Sequence, residues 1–117
     1  MGVPRAPDGA GREGRRLWSS VLAEFELSGY ELSILRQAVR AADRCEALAG
    51  ALAETGLTQL TAHGAVKLNP VAAELRAAEL GLCRLLLCLR IPLGGVEDEQ
   101  RGQHRGLRGV YSVGPAA

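Results

Sequence analysis

The stretch NPVAAELRAAELGLCRLLLCLRI, residues Asn69–Ile91, is too apolar to be satisfied by one partner inside a small monomer. Asn69-Pro70 opens a helix well, because Asn is a strong N-cap and Pro at the first helical position loses no needed N–H. Val71, Leu75, Ala78, Leu82, Leu85, Leu86 and Leu89 then fall on one stripe at helical spacing. The opposite side of an ordinary surface helix is polar. Here it carries Ala73, Ala77, Leu80, Leu87, Cys88 and Ile91, broken by Arg84. One stripe can pack on the chain's own helices, and the second needs another cover. A second copy of the chain fits that need, so Leu80, Arg84, Leu87 and Ile91 are the expected oligomer interface.

Outward from this helix, the preceding segment Leu57–Leu68 alternates Leu, Thr and Val around His63-Gly64, the pattern of a short β-hairpin with Gly supplying positive φ. A lone two-stranded hairpin is marginal in water, so it should lean on the helices or on a neighbouring subunit. Before it, Leu27-Ser28-Gly29-Tyr30-Glu31-Leu32 carries the clearest local signal. Ser28 and Glu31 form a capping box, with Leu27 and Leu32 as its hydrophobic staple. The helix that follows runs to about Glu54, roughly 39 Å long at 1.5 Å per residue, and Gly56 is placed to close it. Its core stripe is Leu32, Leu35, Ala38, Val39, Ala42, Cys45, Ala49 and Leu52. A first helix spans about Arg12–Glu26, with Leu17, Trp18, Val21, Leu22 and Phe25 on one face.

The fold class is therefore mainly α: three helices, with a long antiparallel helical hairpin and a short β-hairpin between its two arms. Residues 1–11, dense in Gly and Pro, read as a flexible arm, and residues 12–92 as the helical oligomerisation core. Residues 93–117 read as a disordered tail, Gly-rich, with Glu97, Asp98 and Glu99 followed by Arg101, His104, Arg105 and Arg108.

Composition narrows the function. The 117 residues are one domain's worth, and a net charge of +1 creates no global field that demands nucleic acid or membrane. Aromatics at 3% argue against a stacking platform for single strands. No catalytic or metal-ligating set stands out around His63 or His104, and no cofactor motif is present, so the chain does not read as an enzyme. Cys45, Cys83 and Cys88 lie among apolar neighbours in the helices with no CxxC spacing, which predicts buried, reduced thiols and a reducing cytosol. No apolar run escapes charge for a membrane-spanning length.

Of the basic residues, thirteen Arg and one Lys, nine group in three places. Arg36, Arg40 and Arg44 recur every four residues along one edge of the second helix, a row that can follow a phosphate backbone or simply face solvent with Asp43 and Glu46 to neutralise it. Arg12, Arg15 and Arg16 cluster at the start of the first helix, where cations oppose the macrodipole. In the tail, Arg101, Arg105 and Arg108 with Tyr111 form a weaker tether. The first two groups are the expected DNA-binding residues. The Arg, Ala and Gly richness is equally what a GC-rich genome produces.

Gly14–Trp18 leading a helix, the turn FELSGYEL at Phe25–Leu32, the run LRQAVRAADRCEAL at Leu35–Leu48, a hairpin ending in Asn69-Pro70, and ELRAAELGLCRLLLCLRIP at Glu74–Pro92 together resemble the terminase small subunits of actinobacterial phages and prophages. The similarity covers about residues 12–92. The resemblance implies a non-catalytic partner in viral genome packaging, in the cytoplasm of a bacterial host. Such subunits form rings, engage double-stranded viral DNA where packaging begins, and regulate the ATPase and nuclease of the large terminase subunit. The chain departs from a dedicated DNA reader in lacking a short-helix, tight-turn, second-helix pattern. The rival reading is a helical-hairpin scaffold or regulatory oligomer that never touches nucleic acid.

Overall fold

The structure is a computed structural model that describes residues 2–90. Its elements run α1 (Arg12–Glu24), α2 (Gly29–Thr55), β1 (Thr58–Leu60), β2 (Val66–Leu68) and α3 (Pro70–Cys88). α2 and α3 form the long arms of a helical hairpin, with β1 and β2 paired antiparallel at its tip in the register Thr58–Leu68, Gln59–Lys67, Leu60–Val66. α1 lies against α2. Ile91 and the whole segment 93–117 lie outside the described residues.

The turns form for local reasons. Ser28 and Glu31 make the full capping box: the Glu31 N–H donates to Ser28 Oγ at 3.4 Å, and the Ser28 N–H donates to Glu31 Oε1 at 2.9 Å. Leu27 and Leu32 on either side both pack on the core. Replacing Ser28 by alanine is expected to cost about 0.5–2 kcal/mol of stability. Thermal unfolding checks this, and an unchanged midpoint would mean that the cap is dispensable. In the hairpin, Gly64 takes φ 85°, and Thr61 Oγ1 accepts from the N–H groups of His63 (3.3 Å) and Ala65 (3.0 Å).

Asn69 is buried and serves both arms. Its Oδ1 accepts from the Val71 N–H at 3.0 Å as the N-cap of α3. Its Nδ2 donates to Thr55 Oγ1 (2.7 Å) and to the Gly56 carbonyl (2.8 Å), which closes the end of α2. A fully buried amide is tolerable only when satisfied in this way.

The core sits at one end of the rod. Trp18, Val21, Leu22 and Phe25 from the first helix, Leu35, Ala38 and Val39 from the second, and Leu89 at the C-cap of the third are buried together with Ala10. Leu17 and Leu32 are partly buried against them. Beyond Glu46 the molecule is only two helices thick. Ala49, expected in the core, is exposed for this reason: α1 begins beside Asp43 and Glu46, so it does not reach the next turn of α2.

The N-terminal segment differs from the free arm that its Gly and Pro content predicts. Trp18 Nε1 donates to the Pro4 carbonyl at 2.9 Å, Arg15 Nη1 donates to the Ala10 carbonyl at 2.7 Å, and Ala10 is buried. The indole N–H needs a partner when buried, and the arm supplies it.

Candidate functional site

Two surfaces carry the functional candidates. The first is built of arginines, and the contact that organises it involves a carboxylate. Asp43 of α2 reaches the start of α1, where its two oxygens accept from the N–H groups of Gly11 (2.7 Å) and Gly14 (2.8 Å). α1 has no side-chain cap of its own. A carboxylate from the next helix does that work and answers the helix dipole as well. Asp43 therefore does not neutralise the arginine row of α2, as its spacing suggested. Glu46 does not either, since its Oε2 takes Arg12 Nη2 at 3.0 Å.

Each predicted arginine can now be placed. Arg12 also has Nε 3.9 Å from Glu13 Oε2, and Arg16 Nη1 lies 3.4 Å from the same oxygen. Arg15 is exposed and bonded to the Ala10 carbonyl. Arg44 Nη2 lies 3.4 Å from Glu74 Oε1 of α3. Arg36 and Arg40 are exposed and form no ion pair among the described residues. The N-terminal cluster, whose position against the dipole looked unexplained, is thus accounted for by Asp43, Glu13 and Glu46. The pairs are solvent-exposed, so each is worth little and can be exchanged for a phosphate.

The second surface is apolar. The inner stripe of α3 behaves as its spacing predicts: Val71, Leu75, Ala78, Leu82, Leu85 and Leu86 are half-buried and Leu89 is buried. On the outer stripe Leu80 is 52% and Leu87 55% exposed, and Arg84 is exposed too. The β-hairpin adds more. Leu60, Val66 and Leu68 share one face of the two strands and, with Leu57, are 59–74% exposed. The hairpin does not lean these side chains on its own helices. The period-two pattern at 58/60 and 66/68 carried that signal, and the helical arms end too early to cover it.

The thiols correct the expectation of three buried cysteines. Cys45 is half-buried, but Cys83 and Cys88 are exposed, and all three are free. Neither exposed thiol belongs to the half-buried stripe of α3, and Cys83 is near enough to α2 to act on the Cys45 thiol. Burial raises the Cys45 thiol above its ordinary range, with Glu79 and Cys83 adding to the rise and Arg44 opposing it. His63 is exposed at the hairpin turn, and His104 lies outside the described residues. Among the described residues no group of three or more His, Cys, Asp or Glu side chains is placed to hold a metal ion, and no helix is long and apolar enough to cross a membrane. No protein-family model, curated protein or solved structure matches the chain.

Proposed function

We propose that this chain is a non-catalytic small terminase subunit of a phage or prophage packaging motor. It binds double-stranded DNA as a homo-oligomer, probed below, and regulates a large ATPase–nuclease subunit in the host cytoplasm. The observation that carries the reading is the outer face of α3. Leu80 and Leu87 stand more than half exposed on a helix whose inner stripe is already used. Burying each such side chain contributes roughly 1.5–3 kcal/mol. The motifs from Gly14 to Pro92 supply the kind of assembly, and Arg36 and Arg40, without acidic partners among the described residues, supply a basic edge that repeats with every subunit.

Leu87→Glu is expected to break the assembly into monomers. Light scattering at micromolar concentration reads this directly, and a wild-type chain that is a stable monomer there ends the reading. For DNA, each phosphate neutralised contributes about −0.9 to the slope of log K against log salt. Several subunits on one duplex should give a slope of several units, flattened when Arg36, Arg40 and Arg44 are replaced together by Gln. A slope that survives this change but collapses on deleting residues 100–117 moves the contact to the tail.

The scaffold reading is favoured by one observation: Arg12, Arg16 and Arg44 all stand beside carboxylates of their own chain. An oligomer that shows no DNA binding near 20–50 mM salt, where counterion release is most favourable, makes that reading the correct one.

A further inference from the structure

α2 and α3 run antiparallel in a register that is fixed at both ends. At the tip, Asn69 Nδ2 donates to Thr55 Oγ1 at 2.7 Å. At the far end, Leu89 is buried in one cluster with Leu35. The stretches from Thr55 back to Leu35 and from Asn69 on to Leu89 are equal in length, so their midpoints, Cys45 and Glu79, stand at one level. Cys83 lies one turn further along α3, about 6 Å at 1.5 Å per residue. Every Cα–Cβ bond tilts toward the N-terminus of its own helix. In an antiparallel pair the tilts are opposed, and here they bring the Cys45 and Cys83 thiols toward each other along the axis. Small residues allow a short distance between the axes: Ala41 on α2 and Ala78 on α3 are half-buried in the same seam. The Cys45 thiol responds to these surroundings, its proton held more tightly through burial first, then through Glu79 and Cys83.

The two thiols differ in access. Cys83 is exposed and Cys45 is half-buried. Oxidation selects thiols by exposure and by thiolate fraction, and a thiol that holds its proton tightly offers less thiolate. Cys83 therefore meets a small oxidant first, with Cys45 one turn away across the seam. Cys88 is exposed as well, but five residues on it points about 140° away around the helix. α2 carries no second cysteine to meet it.

We propose that Cys83 is a site of oxidation by hydroperoxides and that Cys45 resolves it, so that a Cys45–Cys83 disulfide joins α2 to α3. The Cys83 thiolate attacks one peroxide oxygen; the S–O bond forms as the O–O bond breaks, and the departing hydroxide takes up a proton as water. Cys45 then gives its proton to solvent and attacks Cys83 Sγ. The S–S bond forms, the S–O bond breaks, and the hydroxyl leaves as a second water. Two thiols lose two electrons, and one hydrogen peroxide becomes two waters. A reducing thiol reverses the bond by exchange, so the pair rests reduced in a reducing compartment. The bond closes a loop that contains the whole β-hairpin and limits the freedom of the unfolded chain. It involves neither nucleic acid nor a packaging partner, so it stands apart from the proposed function.

The geometry of a disulfide is demanding, with Cβ atoms about 3.5–4.5 Å apart, which makes the pairing a stringent test. The full chain, diluted to where it is monomeric, is treated with hydrogen peroxide, quenched with iodoacetamide and mapped by non-reducing peptide analysis. The expected result is a Cys45–Cys83 peptide pair that dithiothreitol removes, with alkylatable thiols falling from the three of the reduced chain to Cys88 alone. The urea midpoint should rise on oxidation and return on reduction. Cys45→Ser should abolish that rise and leave Cys83 as a sulfenic acid that dimedone traps, while Cys88→Ser behaves as wild type. Cys45 still alkylatable after Cys83 has gone on to sulfinic acid overturns the proposal. So does a disulfide that joins two chains, or one that forms only when urea is present.

Discussion

Truncating Trp18 to alanine is expected to lower the stability of the folded chain by about 3–5 kcal/mol, the range for a large buried aromatic. Trp18 is 3% exposed in the midst of Val21, Leu22, Leu35 and Val39, in a core to which, among the described residues, α1, α2 and the C-cap of α3 all contribute. Against a typical total of about 5–15 kcal/mol, that loss leaves a chain close to unfolding. Urea denaturation at fixed protein concentration measures it, since assembly adds its own concentration-dependent stability. Trp18→Phe separates two contributions. It keeps most of the buried ring and removes the hydrogen bond to the Pro4 carbonyl. It should cost about 1 kcal/mol and expose residues 2–10 to limited proteolysis. A wild-type-like proteolytic pattern would mean that the arm is held by something other than the indole.

Gly14→Ala is expected to destabilise by roughly 2–4 kcal/mol, against the sign of helix propensity, which favours Ala over Gly by about 1 kcal/mol. A Cβ at Gly14 would stand 2.5 Å from Asp43 Oδ2 and 2.7 Å from Val39 Cγ1. The carboxylate would have to withdraw from the N–H groups of Gly11 and Gly14, so overpacking and loss of the cap come together. Asp43→Ala loses the cap without the collision. Combined with Gly14→Ala it should cost less than the sum of the two, because the second change removes the atoms that the first one strikes. Greater stability in Gly14→Ala would show that α1 and α2 are further apart than the Asp43 contact requires.

Most of the fold was legible in the sequence, because its signals are local and agree with one another. The Ser28–Glu31 box, the Asn69-Pro70 opening and the His63-Gly64 turn each rest on a few neighbouring residues, and the inner stripe of α3 rests on the periodicity of one helix; each is found where its spacing puts it. What escaped was tertiary. Asp43 looks on the α2 sequence like a neutraliser of Arg40 and Arg44, and only the approach of α1 turns it into a cap for Gly11 and Gly14. The clue available was negative: a helix starting Gly11-Arg12-Glu13-Gly14, with no side chain of its own able to cap it. Ala49 continues the α2 stripe by periodicity, but periodicity says nothing about where the covering helix stops. Of the candidate surfaces, the outer stripe at Leu80 and Leu87 was legible for the same reason as the inner one. The pairing of Arg12 with Glu46 and of Arg44 with Glu74 was not, since the partners are 34 and 30 residues apart.

The burial of Leu89 has a consequence for the order in which the protein is made. It is fully buried with Leu22, Leu35 and the other core residues of α1 and α2, and it arrives at the C-cap of the last helix. Both earlier helices leave the ribosome while this corner of their core is still open. At about 5–20 residues per second, they wait several seconds for the residue that closes it. During that interval Trp18, Phe25 and Leu35 stand unshielded in a growing chain, and neighbouring chains on one message meet with the same surfaces bare. The hairpin tip and the capping-box turn can form at once from local contacts. Closure of the core is a late event, set by translation and by how quickly α3 swings its final turn onto the other two helices.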